Sequence, residues 1–153
     1  MEVRKEEVYM LLGISKLISP ELLKVLSEMG HGDEIVLADG NFPAASHAQR
    51  LIRSDGHNVP ELLDAILQLI PLDQYVEKPA TLMQVVPGDP VQTPIWEQYR
   101  SIIEKRTGLA EPFEQIGRFT FYERAKKAYA IVATGESALY ANLILKKGVI
   151  VES

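Results

Sequence analysis

The segment 29–43, MGHGDEIVLADGNFP, concentrates more reactive chemistry than any other stretch of this chain. His31 stands between Gly30 and Gly32. Its imidazole, with an unperturbed pKa near ~6.5, can give and take protons at neutral pH. The glycines leave that turn free to adopt unusual backbone angles. The same histidine could instead bond the last carbonyls of a preceding helix, so both uses stay open. Asp39 follows the apolar run 35–38 and can bind hydroxyl groups, orient a histidine, or close an Asx-turn. Asp73, in PLDQY, has the same choice. In the run 118–124, Arg118 can clasp an oxygen-rich ligand and the Tyr122 phenol can move a proton. Read as a plain helix start, that run would put Phe119 and Phe121 in the core and Arg124 in solvent. Tyr140, Ala141 and Asn142 supply a phenol and an amide, or an ordinary loop. His47 and His57 lack metal-ligand spacing and read as surface residues, and Lys146-Lys147 as a solvated pair.

These groups need elements to position them. Ser19-Pro20-Glu21 has the order of an N-cap, a first helical proline and a dipole-favouring acid. Leu22, Val25, Leu26 and Met29 then follow at helical spacing, with Gly30 expected as C-cap. The run 35–38 lacks polar alternation, as in a strand covered on both faces of a parallel sheet. Asp39 would then sit at a strand's carboxyl end, where open α/β sheets hold ligands. Further strands are expected near 50–53, 81–86, 115–116, 128–133 and 142–145. Helices are expected from Pro60, from Pro94 to Gly108, and over 121–127, and residues 41–43 read as a loop. Helices alternating with apolar strands argue an α/β layered fold.

The chain has 153 residues, of which 46% are hydrophobic and 24% charged. That suits one domain, expected over residues 11–153, with residues 1–10 as an N-terminal extension. A chain of this size buries roughly 68–70% of its unfolded surface and needs no staple. The absence of cysteine excludes disulfides and thiolate chemistry and agrees with a cytoplasmic location. A net charge of −5 without a basic stripe argues against nucleic acid. No apolar run approaches the ~20 residues of a membrane span, and the charged N-terminus does not read as a signal peptide. Dinucleotide and P-loop glycine patterns, a G-x-S-x-G elbow and an H-E-x-x-H pair are all missing. The residues alone therefore lead to an α/β domain with an acid–base site.

Four blocks, SPELLKVLSEMGHGDEIVLAD, FYERAKKA, ATGE and LYANLILKKG, resemble the L-fucose mutarotases, relatives of the D-ribose pyranases. The likeness runs from about residue 12 to 148 and keeps order and spacing. It implies a three-layer α/β fold with a mostly parallel sheet flanked by helices. It also implies an isomerase that interconverts the anomers of a free monosaccharide without metal or organic cofactor. By the same resemblance His31 is the proton donor and Tyr122 a catalytic residue. Asp39, Arg118, Tyr140, Ala141 and Asn142 are sugar ligands, and Asp73 matches a substrate-contacting aspartate of some members. A decamer of two stacked pentameric rings, with sites near subunit boundaries, is implied as well. G-H-G-D in place of G-H-T-D, together with F-Y-E-R, favours the fucose branch. Gly40 departs from the usual alanine, and the N-terminal extension is longer than usual. A ribose pyranase, a broader aldose mutarotase and a non-catalytic sugar-binding or transport-associated protein remain as alternatives.

Overall fold

Ser19 begins the first helix as its sequence context predicts. Its hydroxyl oxygen accepts the Leu22 N–H at 3.1 Å, and α1 (Pro20–Glu28) buries Leu22, Val25 and Leu26. The other end differs from expectation. Helical backbone stops at Glu28 with Met29 extended, and Gly30 is not the cap. Instead Lys147 Nζ donates to the carbonyls of Leu26 (2.8 Å) and Met29 (2.6 Å). An ammonium at a helix C-terminus meets both the orphan carbonyls and the negative dipole end, so Lys147 is not a solvated residue.

The computed structural model describes residues 11–152, so the expected extension over 1–10 lies outside it. After α1 come β1 (Glu34–Ala38), α2 (Ala44–His47), β2 (Leu51–Ser54) and α3 (Val59–Leu67). Then follow β3 (Ala80–Met83), α4 (Ile95–Thr107), β4 (Phe113–Ile116), α5 (Arg118–Lys127), β5 (Ala130–Thr134) and β6 (Leu143–Lys146). The six strands form one sheet in the order β2-β5-β1-β6-β3-β4. Pairing is parallel except where β6 runs against β1 and β3. The sheet is therefore mostly parallel, as the resemblance implied.

The unalternating β1 run has a direct cause. Ile35 and Leu37 pack with α1, α3 and α4 on one face, while Val36 and Ala38 pack with α2 and α5 on the other. Helices on both sides make three layers.

Two differences from the sequence reading bear on function. The stretch 44–47 is helical, but four residues are too few to show a 3.6-residue period. Moreover α5 starts at Arg118, three residues before the expected Phe121. Phe121 is buried in the core, whereas Phe119 is 72% exposed. Arg124 is not in solvent: it pairs with Glu34 of β1 and Glu114 of β4, and Glu114 also accepts the Thr81 hydroxyl of β3. One guanidinium thus ties three strands from the α5 face. Replacing Arg124 with Met should cost about 2 kcal/mol, between an exposed and a fully buried pair. Urea unfolding measures this, and a loss under about 0.5 kcal/mol would reduce the network to a surface pair.

Candidate active site

Asp39 follows β1 directly and is buried. One of its oxygens accepts the Asn41 N–H at 3.0 Å, and the other accepts the Ala141 N–H at 3.3 Å. Its own N–H donates to Asn142 Oδ1 at 2.7 Å. Burial raises the carboxyl above its ordinary range, and the opposing backbone hydrogen bonds do not offset it. The loop is propped from behind by residues 134–136. Thr134 Oγ1 donates to the Ala38 carbonyl at 2.7 Å, and the Glu136 carbonyl accepts the Gly40 N–H at 2.8 Å. The work of this T-G-E stretch is to hold the Asp39 turn.

Tyr140 is the one described non-glycine residue with positive φ, at 56°. That left-handed backbone is uncommon for an aromatic residue and needs support from its surroundings. Here α4 provides it. Trp96 Nε1 donates to the Tyr140 carbonyl at 2.8 Å, and the Tyr99 hydroxyl donates to the Ala141 carbonyl at 2.7 Å. The Tyr140 phenol donates to Asp89 at 2.8 Å and accepts the Val86 N–H at 3.3 Å. Its bond to the Asp89 carboxylate raises the phenol above its usual range, so it stays protonated at neutral pH.

Arg118 and Tyr122 stand one turn apart on α5, so both side chains reach the same side. They line a cavity of about 270 Å³ together with Asp39, Phe42, Asp89, Tyr140 and Asn142. The Tyr122 ring lies 5.3 Å from Phe42 and 5.5 Å from His47. His47, read as a surface residue, is thus half-buried beside this cavity, placed there by the unforeseen α2. His57 does lie near the surface, 3.5 Å from Glu61.

His31 and Asp73 lie elsewhere. His31 precedes β1 whereas Asp39 follows it, and the four steps from Glu34 to Ala38 alone span about 13 Å. One copy of the chain therefore does not bring His31 to the Asp39 cavity. Its Nε2 instead donates to Asp73 Oδ1 at 2.9 Å, with the Tyr75 ring 5.3 Å away. Burial works to raise Asp73, but the Tyr75 N–H and His31 outweigh it and hold the carboxyl below its ordinary range. Asp73 is thus an anion that fixes the imidazole's orientation and leaves Nδ1 for proton exchange. Among the described residues no three His, Asp or Glu side chains converge to hold a metal ion.

Two polar sets, a cavity lined by carboxylate, guanidinium, phenol and amide groups and a carboxylate-oriented histidine, thus occupy opposite ends of one strand in a mixed α/β sheet. This defines a small-ligand protein equipped for acid–base work. The chain belongs to the RbsD / FucU transport protein family, whose model matches residues 12–150. It is 58% identical to human fucose mutarotase over 146 residues, covering 92% of this chain and 94% of that one. A crystal structure of the Streptococcus pneumoniae fucose mutarotase in complex with L-fucose is 60% identical. It superposes with a TM-score of 0.88 over 92% of this chain and all of that one (100%). A Bacillus subtilis RbsD structure complexed with D-ribose, 22% identical, shares the fold with a TM-score of 0.66, covering 88% and 95% of the two chains.

Sequence reasoning missed Trp96, Tyr99 and Asp89. Trp96 and Tyr99 look like ordinary residues of a helix, and nothing local reveals that they hold a strained turn. Replacing Tyr99 with Phe leaves the buried Ala141 carbonyl without its donor. Thermal or urea unfolding should show a loss of about 1–3 kcal/mol. An unchanged stability would mean that the Tyr140 turn holds itself.

Proposed function

We propose that this chain is an L-fucose mutarotase, acting in the cytoplasm through a domain spanning residues 11–153. One observation carries the reading. A chain 58% identical to a fucose mutarotase carries, at the two ends of one strand, polar groups suited to the hydroxyl binding and proton transfer that anomer exchange requires.

Exchange proceeds by ring opening: the anomeric hydroxyl loses a proton while the ring oxygen gains one and the ring C–O bond breaks. The open aldehyde then rotates and recloses on its other face. His31, oriented by Asp73, is the donor to the ring oxygen. Tyr122 helps move the anomeric proton, its phenol oxygen accepting that proton as it passes its own to solvent. The Asp39 carboxylate, Arg118, Tyr140 and the Asn142 amide hold the hydroxyls, with Ala141 setting the turn between the last two. Asn142 already uses its oxygen on the Asp39 N–H, which leaves its amide donors for the sugar.

Because His31 and Asp39 stand at opposite ends of β1, the reading requires the His31–Asp73 pair of one copy to close over the cavity of another. This supports a homo-oligomer, as in two stacked pentameric rings. The described residues contain no helix long and apolar enough to cross a membrane.

Exchange NMR on the anomeric protons of L-fucose and D-ribose tests the substrate. Faster α–β exchange for fucose supports the reading, acceleration of ribose alone moves the assignment to a ribose pyranase, and binding without acceleration leaves a sugar-binding protein. His31→Ala should lower the exchange rate by about 10²–10⁴-fold with binding largely kept. Retained exchange would exclude His31 as the donor.

The raised Asp39 pKa also sets a pH dependence. Hydroxyls donate to the ionised carboxylate, so KM for fucose should rise as pH falls through the Asp39 titration. Because that pKa is raised, the rise should begin at a higher pH than an ordinary carboxylate would give. Asp73, held low, stays ionised across that window. A KM constant down to the ordinary aspartate range near ~4 would show that Asp39 binds no sugar.

A further inference from the structure

The end of β6 meets both segments that bring His31 and Asp73 together. On the His31 side, Gly32 N–H donates to the Lys147 carbonyl and Lys147 N–H donates to the Asp33 carbonyl, each at 2.9 Å. These two bonds fix the end of the turn that carries His31. The Lys147 ammonium then fixes where that turn starts, through the Leu26 and Met29 carbonyls at 2.8 and 2.6 Å. On the Asp73 side, Asp73 N–H donates to the Lys146 carbonyl and Gly148 N–H donates to the Pro71 carbonyl, again at 2.9 Å. Gly148 permits this approach through its missing side chain. A Cβ there would stand 2.4 Å from the Leu72 carbonyl oxygen and 2.5 Å from Gln74 Oε1. The backbone atom cannot yield without moving residues 71–73, and with them Asp73.

From this geometry we infer that Lys147 and Gly148 are positioning residues for proton transfer: they set the His31–Asp73 contact without touching the substrate. Lys147 fixes where the His31 turn leaves α1, and Gly148 fixes how closely the Asp73 segment lies against it. The inference rests on the reading of His31 as proton donor, so its test needs a readout independent of activity. Asp73 supplies that readout, because its carboxyl is held low by His31 and the Tyr75 N–H against the effect of burial.

The experiment compares Lys147→Met, Lys147→Arg and Gly148→Ala with the parent protein. Folding is checked by circular dichroism, exchange of L-fucose anomers is followed by NMR, and the Asp73 carboxyl is titrated by carbon-13 NMR. Lys147→Met keeps the stem and removes the donors. It should lower kcat by about 10- to 100-fold with KM within about twofold, the pattern of a misplaced catalytic group. The Asp73 titration should move up towards the ordinary range in the same variant. Gly148→Ala should do both, and Lys147→Arg, whose guanidinium can still donate to the two carbonyls, should restore both. Should Lys147→Met fail to fold, Lys147→Gln, with one amide left to donate, gives the same two measurements. An Asp73 titration unchanged in both the Lys147 and Gly148 variants would overturn the inference. A shifted titration with an unchanged exchange rate would uphold the positioning and overturn His31 as donor.

Discussion

The antiparallel ladder between β1 and β6 is the constraint on which the rest of the molecule depends. Its register sets Glu34 against Lys146 and Leu37 against Leu143. Because the strands oppose each other, the start of β6 lies beside the end of β1, and the end of β6 beside the start of β1. Asn142, just ahead of β6, therefore meets Asp39, just after β1. Lys147, just past β6, meets the His31 turn, just before β1. A parallel β6 would have put Asn142 beside the His31 turn instead. A slip of one residue would turn the side chains of β6 to the opposite faces and disrupt both cores. The apolar ladder Ile35–Leu145, Val36–Ile144 and Leu37–Leu143, covered on both sides, makes such a slip costly.

The cavity end of that ladder accepts local costs that the surrounding fold offsets. Asp39 is buried with its pKa raised, so ionising it works against folding at neutral pH. Its contribution to stability is fully present only below its unfolded pKa and is lost as pH rises through the folded one. Tyr140 sits in a left-handed conformation that α4 sustains through Trp96 and Tyr99. Burial also raises the Tyr99 phenol, which stays a protonated donor at every physiological pH. An acidic acceptor, a strained turn and a helix face thus form one polar assembly in which the carboxylate, the phenol and the amide are each held by bonds from behind. Such support is what lets polar groups discriminate among hydroxyl arrangements, since a mismatched ligand leaves them unpaired.

The other end is organised by close backbone approach. His31 is a half-exposed group, with 46% of its side chain accessible, while its partner Asp73 is buried. An orienting carboxylate that stays anionic beside an accessible imidazole leaves that imidazole open to exchange protons with its surroundings. Arg124 performs a related service from the opposite face, clamping β1 and β4 so that α5 presents Arg118 and Tyr122 at a fixed height over the sheet. The F-Y-E-R run therefore carries three tasks in four residues: Phe121 in the core, Tyr122 at the cavity and Arg124 in the strand clamp.

The sequence by itself determined the kinds of element and singled out the candidate reactive groups. The Ser19-Pro20 cap, the doubly buried 35–38 run and the Gly108 stop are local signals, and local physics decides them. His31, Asp39, Arg118, Tyr122 and Asn142 were legible because their side chains do chemistry that apolar neighbours cannot. Only the tertiary structure decided which of them belong together. A strand's length separates His31 from Asp39 although eight positions separate them in sequence, while His31 and Asp73, forty-two apart, share a hydrogen bond. The roles of Lys147, Gly148, Trp96 and Tyr99 were equally out of reach. Each acts through a backbone carbonyl contributed by a remote segment, and no residue pattern records which carbonyl a donor will find.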